Sequence, residues 1–148
     1  MTDNPTRILL IENDHVDRMA IERFVLKHKL PYALDVVETL SQGLDRMQNC
    51  VYDLILVDYL LADGTGLDIL NKAAGTPVVI ITGNGNEEIA VEAMRQGAYD
   101  YIIKDYDRNY LALIPSTVND ALERKRDKIA KAESDKRYRT IVETVSDI

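Results

Sequence analysis

Asp58 closes the apolar run Leu54-Ile55-Leu56-Val57, and an acid in that place needs a physical reason. A run of that kind reads as a strand covered on both faces. A lone carboxylate at its end is costly to desolvate, so cations or hydrogen-bond donors should meet it there. Three other runs end on polar groups as well. Arg7 to Ile11 leads into Glu12-Asn13-Asp14, Val78 to Ile81 leads into Thr82, and the segment from Tyr99 leads into Lys104. Carboxylates gathered beside a lysine suit a hard cation, and Mg²⁺ is commonly held by one or two carboxylates together with a phosphate. Asp58 could then serve as an acyl-phosphate nucleophile. Mg²⁺ and Lys104 would balance charge on the transferring group, and Thr82 would hydrogen-bond a phosphoryl oxygen.

Four strand ends make one site only if the strands lie parallel with their carboxyl ends on one rim. The hydrophobic pattern predicts that arrangement. Strands are expected at Arg7–Ile11, Ala33–Glu38, Asp53–Val57, Pro77–Thr82 and Tyr99–Lys104. Helical patterns fall between them, at Asp14–Lys27, Ser41–Asn49, Leu67–Ala73 and Asn86–Gln96. Asn13 or Asp14 can cap the first helix, Ser41 the second, and Gly97 closes the fourth. A last helix begins between Asp107 and Pro115, since proline is tolerated only in a first turn. Strands alternating with helices imply right-handed crossovers and an α/β fold, a five-stranded parallel sheet with helices on both faces. Ligands of such folds bind outside the carboxyl ends of the strands.

The bulk composition fits a single domain with an appendage. The chain has 148 residues, 46% hydrophobic and 29% charged, enough to bury a core without staples. A single cysteine, Cys50, rules out an internal disulfide and suits a reducing compartment. No secretory leader is legible in Met1–Arg7, and a cytoplasmic protein with no membrane contact is expected. Residues 123–139 carry eight Lys/Arg against four Asp/Glu, so a basic tail of +4 follows a body of −11. An acidic body argues against a direct nucleic-acid surface.

The stretches "ILLIEND", "DLILVDYLLADGTGLDIL", "PVVIITG" and "GAYDYIIKD" occur in that order. Together they resemble the receiver domain of response regulators in two-component signalling, over about Arg7 to Leu122. The resemblance implies a doubly wound, flavodoxin-like sheet of order 2-1-3-4-5 with five helices, the last extended. It implies roles for the matched residues. Asp58 would be the phosphoacceptor. Glu12, Asn13, Asp14 and Asp58 would form the Mg²⁺ site, with the backbone carbonyl of Leu60 as a further ligand. Thr82 and Lys104 would contact the phosphoryl group, and Thr82 and Tyr101 would form the switch. The implied partner is a histidine kinase or phosphotransfer protein. The module itself would not be an enzyme.

Three positions depart from that pattern. Asn13 stands where a second acid is usual, which lowers the charge offered to the metal, and Asp14 compensates in part. Ala62 replaces a common proline and loosens the loop after Asp58. Asp105 follows Lys104 in place of the usual proline, which puts the familiar cis bond in doubt. A pseudo-receiver, binding or dimerising without phosphorylation, is the alternative that Asn13 suggests. A phosphatase with a carboxylate nucleophile would want an acid two residues after Asp58, where Leu60 stands. Each residue also has a plainer role: Asp58 as a turn residue, Glu12-Asn13-Asp14 as a helix start, Tyr101 as an edge aromatic. His15 and His28 read as surface helix residues, and Cys50 as inert.

The expected organisation is a receiver over residues 1–122, a basic helical linker over 123–137, and a further unit beginning at 138–148. "RYRTIVETVSDI" resembles the start of a PAS domain, with Tyr138, Ile141, Val142, Val145 and Ile148 at helical spacing. The chain then reads as part of a longer protein with a downstream output domain. A homodimer would form through the face of the fourth helix, fifth strand and fifth helix, or through the C-terminal helix.

Overall fold

A computed structural model describes residues 4–83 and 85–146, with side chains through residue 140. The main sheet has five strands, β1 (Thr6–Ile11), β2 (Tyr32–Val37), β3 (Leu54–Asp58), β6 (Val78–Gly83) and β7 (Asp100–Lys104). Their order is β2-β1-β3-β6-β7, and every neighbouring pair is parallel. This is the expected 2-1-3-4-5 order. The numbering shifts because β4 (Leu60–Leu61) and β5 (Gly64–Thr65) form a small antiparallel pair of their own after Asp58.

Period-two alternation splits each apolar run between two cores. Leu9, Ile11, Ile55, Val57 and Ile80 face one side, with Ile69 and Ala93 packed over them. Ile8, Leu10, Leu56, Val79 and Ile81 face the other, under Ile21, Ile114 and Val118. Burying each such Ile or Leu contributes about 2–3 kcal/mol, so the central strands cannot slip register without losing most of the core.

The helices are α1 (His15–Lys27), α2 (Leu40–Asn49), a 3₁₀ helix (Gly66–Lys72), α3 (Glu87–Arg95) and α4 (Ile114–Ser146), the last entered through a second 3₁₀ turn (Asn109–Leu113). Asp14 caps α1, its carboxylate accepting from Asp17 N at 2.9 Å. The cap of α2 is Thr39 rather than Ser41, in a reciprocal box with Gln42. A Gln three residues on answers Thr39, and this signal outranks the bare serine. Gly97 takes a φ of 109° just past α3, where a side chain would be strained. The third expected helix exists but is wound as 3₁₀. Its first residue, Gly66, lies so close to β3 that a Cβ there would stand 2.8 Å from the Asp58 carbonyl oxygen.

Pro115 sits in the first turn of α4, as its missing N–H requires. From residue 126 to 140 every side chain of α4 is exposed. The helix runs on through the expected linker, while the apolar stripe expected at Ile141, Val142, Val145 and Ile148 lies outside the described side chains. No described helix is long and apolar enough to cross a membrane.

Candidate functional site

Parallel pairing brings the strand ends to one rim. Asp58 ends β3 opposite Ile81, and Thr82 follows on β6, paired with Ile103 of β7 one residue before Lys104. Lys104 is the centre of what results. Its Nζ lies 2.7 Å from Glu12 Oε1, 2.9 Å from Asp17 Oδ2 and 3.3 Å from Asp58 Oδ2. Glu12 is wholly buried, and Asp58 is 8% exposed. The question posed by Asp58 has its answer in that lysine.

The lysine does not satisfy the site completely. The contact of Glu12 Oε1 with Lys104 is one of charge, outside hydrogen-bonding angles, and this buried oxygen has no hydrogen-bond donor. Its twin, Oε2, accepts from Asp14 N at 3.2 Å. The Thr82 hydroxyl is also buried and unpartnered, as is that of Tyr110. Burial first, and then the hydrogen bond and charge of Asp58, push the Glu12 carboxyl up to about 8, with Lys104 only partly offsetting them. Burial disfavours the Lys104 cation, but the attraction of Glu12 and Asp58 prevails and holds it above the ordinary lysine range. Burial likewise raises the Tyr110 phenol to about 12. Buried polar atoms without partners are uncommon, and three on one rim mark a place built for something else.

Several supports come from residues that strand-end reasoning passes over. Arg18 Nη1 donates to the carbonyls of Glu12 at 3.0 Å and Asn13 at 3.1 Å, and Nη2 pairs with Glu38 at 3.0 Å. One guanidinium thus pins the turn that carries Glu12 and Asn13. Asp63 accepts from Leu40 N and Ser41 N at 2.8 and 2.9 Å, tying the loop after Asp58 to the start of α2. Those two bonds hold its carboxyl below the usual range. Asp68 accepts from Thr65 N at 3.0 Å. The loop with Ala62 is therefore pinned by carboxylates and the β4–β5 pair rather than by a proline ring. Asp105, in the other proline's place, accepts from Asn109 N at 3.1 Å and Tyr110 N at 2.8 Å. It starts the turn into α4, and no peptide bond among the described residues is cis. The signal for these acids was in the sequence, since Asp is a favoured cap and turn residue. Their partners lie up to 23 positions away and were not.

The other expected site residues are placed as follows. Asn13 is exposed beside Glu12. The Asp14 carboxylate is engaged as the α1 cap, and bonds from Asp17 N and Val16 N hold it low. Leu60 pairs with Thr65 and turns its side chain outward, 64% exposed. Tyr101 stands outward on β7, 40% exposed. Asp17 is the acid that reaches Lys104 without having been expected there. Among the described residues no three His, Cys, Asp or Glu side chains are arranged around a common metal position. Yet Glu12 and Asp58 bring carboxylate oxygens to one shared lysine, and such oxygens are the donor chemistry Mg²⁺ takes.

Residues 8–114 match the family model for the response regulator receiver domain. The chain belongs to that family. It is 32% identical over 112 residues to the regulatory protein LuxO of Vibrio vulnificus, covering 72% of this chain and 24% of LuxO. It is 42% identical over 79 residues to the methanogenesis regulatory protein FilR1 of Methanothrix harundinacea, covering 50% of this chain and 17% of FilR1. Among solved structures it resembles NtrX from Brucella abortus, at 27% identity and a TM-score of 0.71, over 92% of this chain and 30% of NtrX. The chain thus spans about a fifth of the length of these curated relatives. A receiver is a signalling domain rather than a catalytic one, and the response regulators it resembles belong to two-component systems.

Proposed function

We propose that this receiver is a phosphoacceptor, taking a phosphoryl group from a histidine kinase or phosphotransfer protein onto Asp58. The observation that carries the reading is the rim itself: Asp58 and Glu12 share one lysine beside an unpartnered, buried Thr82 hydroxyl. An Asp58 carboxylate oxygen attacks phosphorus as the bond from phosphorus to the donor's imidazole nitrogen breaks, its electron pair leaving with that nitrogen. Lys104 neutralises charge on the transferred group, and Thr82 donates its hydroxyl to a phosphoryl oxygen. Glu12, the Asn13 amide oxygen, Asp58 and the Leu60 carbonyl are the residues that would hold Mg²⁺, with Asp14 adding charge nearby. The ion would supply further charge neutralisation at the phosphoryl oxygens.

The added negative charge biases a two-state element. Thr82 moves toward the phosphoryl group and Tyr101 changes rotamer, so the face of α3, β7 and α4 presents a different surface to a second copy or another partner. The signal passes along α4 to an output domain in the same protein, with a PAS domain following residue 138. The short match of "RYRTIVETVSDI" and the much greater length of the relatives support that extension.

The test is treatment with acetyl phosphate, with and without Mg²⁺, read by intact mass on the native chain and on Asp58→Ala. One adduct that needs both Mg²⁺ and Asp58 is expected. No adduct at any Mg²⁺ concentration would instead favour a phosphorylation-independent binding or dimerisation module, the reading to which Asn13 points.

A further inference from the structure

Asp17 belongs neither to the metal set nor to the nucleophile, yet it touches the cation on which both depend. It lies in the first turn of α1, and its side chain is 20% exposed, on the outer wall of the site. Oδ2 accepts from Lys104 Nζ at 2.9 Å, closer than Asp58 Oδ2 at 3.3 Å. Oδ1 faces Arg108 Nε at 3.7 Å. Arg108 leads into the turn before α4, at a left-handed φ of 58°, and that turn is held by Asp105. Lys104, Arg108 and Asp17 together wall a cleft of about 640 Å³ that also reaches Gly83, next to Thr82. Both cations that face this cleft are thus held by the same carboxylate.

We infer that Asp17 is a positioning residue that competes with the phosphoryl group for Lys104 and Arg108. This rests on the phosphoacceptor reading of Asp58. A phosphodonor brings a dianion into a cleft whose cations are already engaged, and whose wall carries a fixed negative charge. Lys104 must turn from Asp17 to the transferring group before it can neutralise it. Asp17 therefore slows phosphoryl transfer in the resting domain and sets how readily the site loads. Removing its charge releases Arg108, takes one of three carboxylates from Lys104, and lifts a repulsion. The other groups facing Lys104 are unchanged by that substitution: Glu12 and Asp58 still hold it in place.

The experiment follows adduct formation from acetyl phosphate by intact mass, for the native chain, Asp17→Asn, Asp17→Glu, and Asp17→Asn combined with Arg108→Ala. In each case an Asp58 oxygen bonds to phosphorus while the bond from phosphorus to the acetyl oxygen breaks and acetate leaves. Asp17→Asn should load about fivefold faster, the effect of one partly exposed ion pair. Its gain should shrink as salt is raised. Asp17→Glu, which restores the charge, should return toward the native rate, and the double variant should lose part of the gain. A merely structural Asp17 would give the opposite pattern, since losing it would slow loading at every ionic strength. Circular dichroism confirms that each variant is folded. Native chain that loads while a folded Asp17→Asn loads no faster overturns this inference alone. No adduct even on the native chain overturns the phosphoacceptor reading and this inference with it.

Discussion

Two of the carboxylates that meet a cation in this domain, Asp35 and Glu12, meet it in opposite ways. On the flank of the sheet, Asp35 of β2 receives Arg46 from α2 on one oxygen and the Tyr52 hydroxyl on the other. Arg7 stacks over the Tyr52 ring, 5.5 Å from its centroid. Burial would raise the Asp35 carboxyl, but the bonds from Tyr52 and Arg46 outweigh it and hold it low. At the rim, Glu12 faces both a cation and a second carboxylate, and it is held up near 8. The flank network has a donor for each acceptor. The rim has more acids than its lysine can serve. A paired carboxylate holds a fold together, whereas a crowded one stores a demand for a ligand.

The sharpest way to break this contrast is pH. The folded Glu12 keeps its proton to about 8, while the unfolded chain releases it near 4.5. The folded state therefore holds more protons within that window, so stability is lost as pH rises through it. Without metal, the native chain should lose on the order of 3 kcal/mol between pH 4.5 and 7 relative to Glu12→Gln. Urea unfolding at several pH values checks this, and equal pH slopes for the two proteins would erase the difference between rim and flank.

Gly66 tests the backbone under the rim. Gly66→Ala drives a methyl group against the Asp58 carbonyl, within 2.8 Å of its oxygen. A loss of about 2 kcal/mol in the same assay is expected, with slower loading of Asp58 by acetyl phosphate. Asp35→Asn should cost about 1 kcal/mol and leave the loading rate unchanged, because the flank touches nothing in the site. A slowed rate in that variant would show that the two networks are coupled. The smallest effect belongs to Asp63→Ala, which frees the loop after Asp58 from α2. It should lower the melting temperature slightly and broaden the amide resonances of Leu60 and Leu61.

What was legible in the sequence follows the same division. The parallel sheet, the strand ends and the meeting of Glu12, Asp58 and Lys104 came from apolar runs broken by single polar residues. Right-handed crossovers then put those ends on one rim, while the strand order came from the resemblance to receiver domains. Asp17 was not legible as a partner of Lys104. Its reach depends on how the first turn of α1 leans over the rim, and no local pattern encodes that. The 3₁₀ winding of Gly66–Lys72 was hidden for a similar reason. Gly66 packs closely on β3 where that segment begins, and the local pattern does not show that contact. Ser41 misled as a cap because the Thr39–Gln42 pair outcompetes it. Ala62 and Asp105 looked like losses of proline stiffness; distant hydrogen bonds through Asp63 make up for the first, and the local turn that Asp105 caps makes up for the second.

The length of α4 fixes an angle as well as a distance. Its 33 residues make a rod of about 50 Å, and each residue added to such a rod turns whatever it carries by about 100°. The side chains from 132 to 140 are all exposed and line no cleft with the body, so little on the body resists that turn there. The azimuth of anything borne at the far end is therefore set by residue count alone. One inserted residue would point it at a different neighbour, and seven would bring it nearly back into phase.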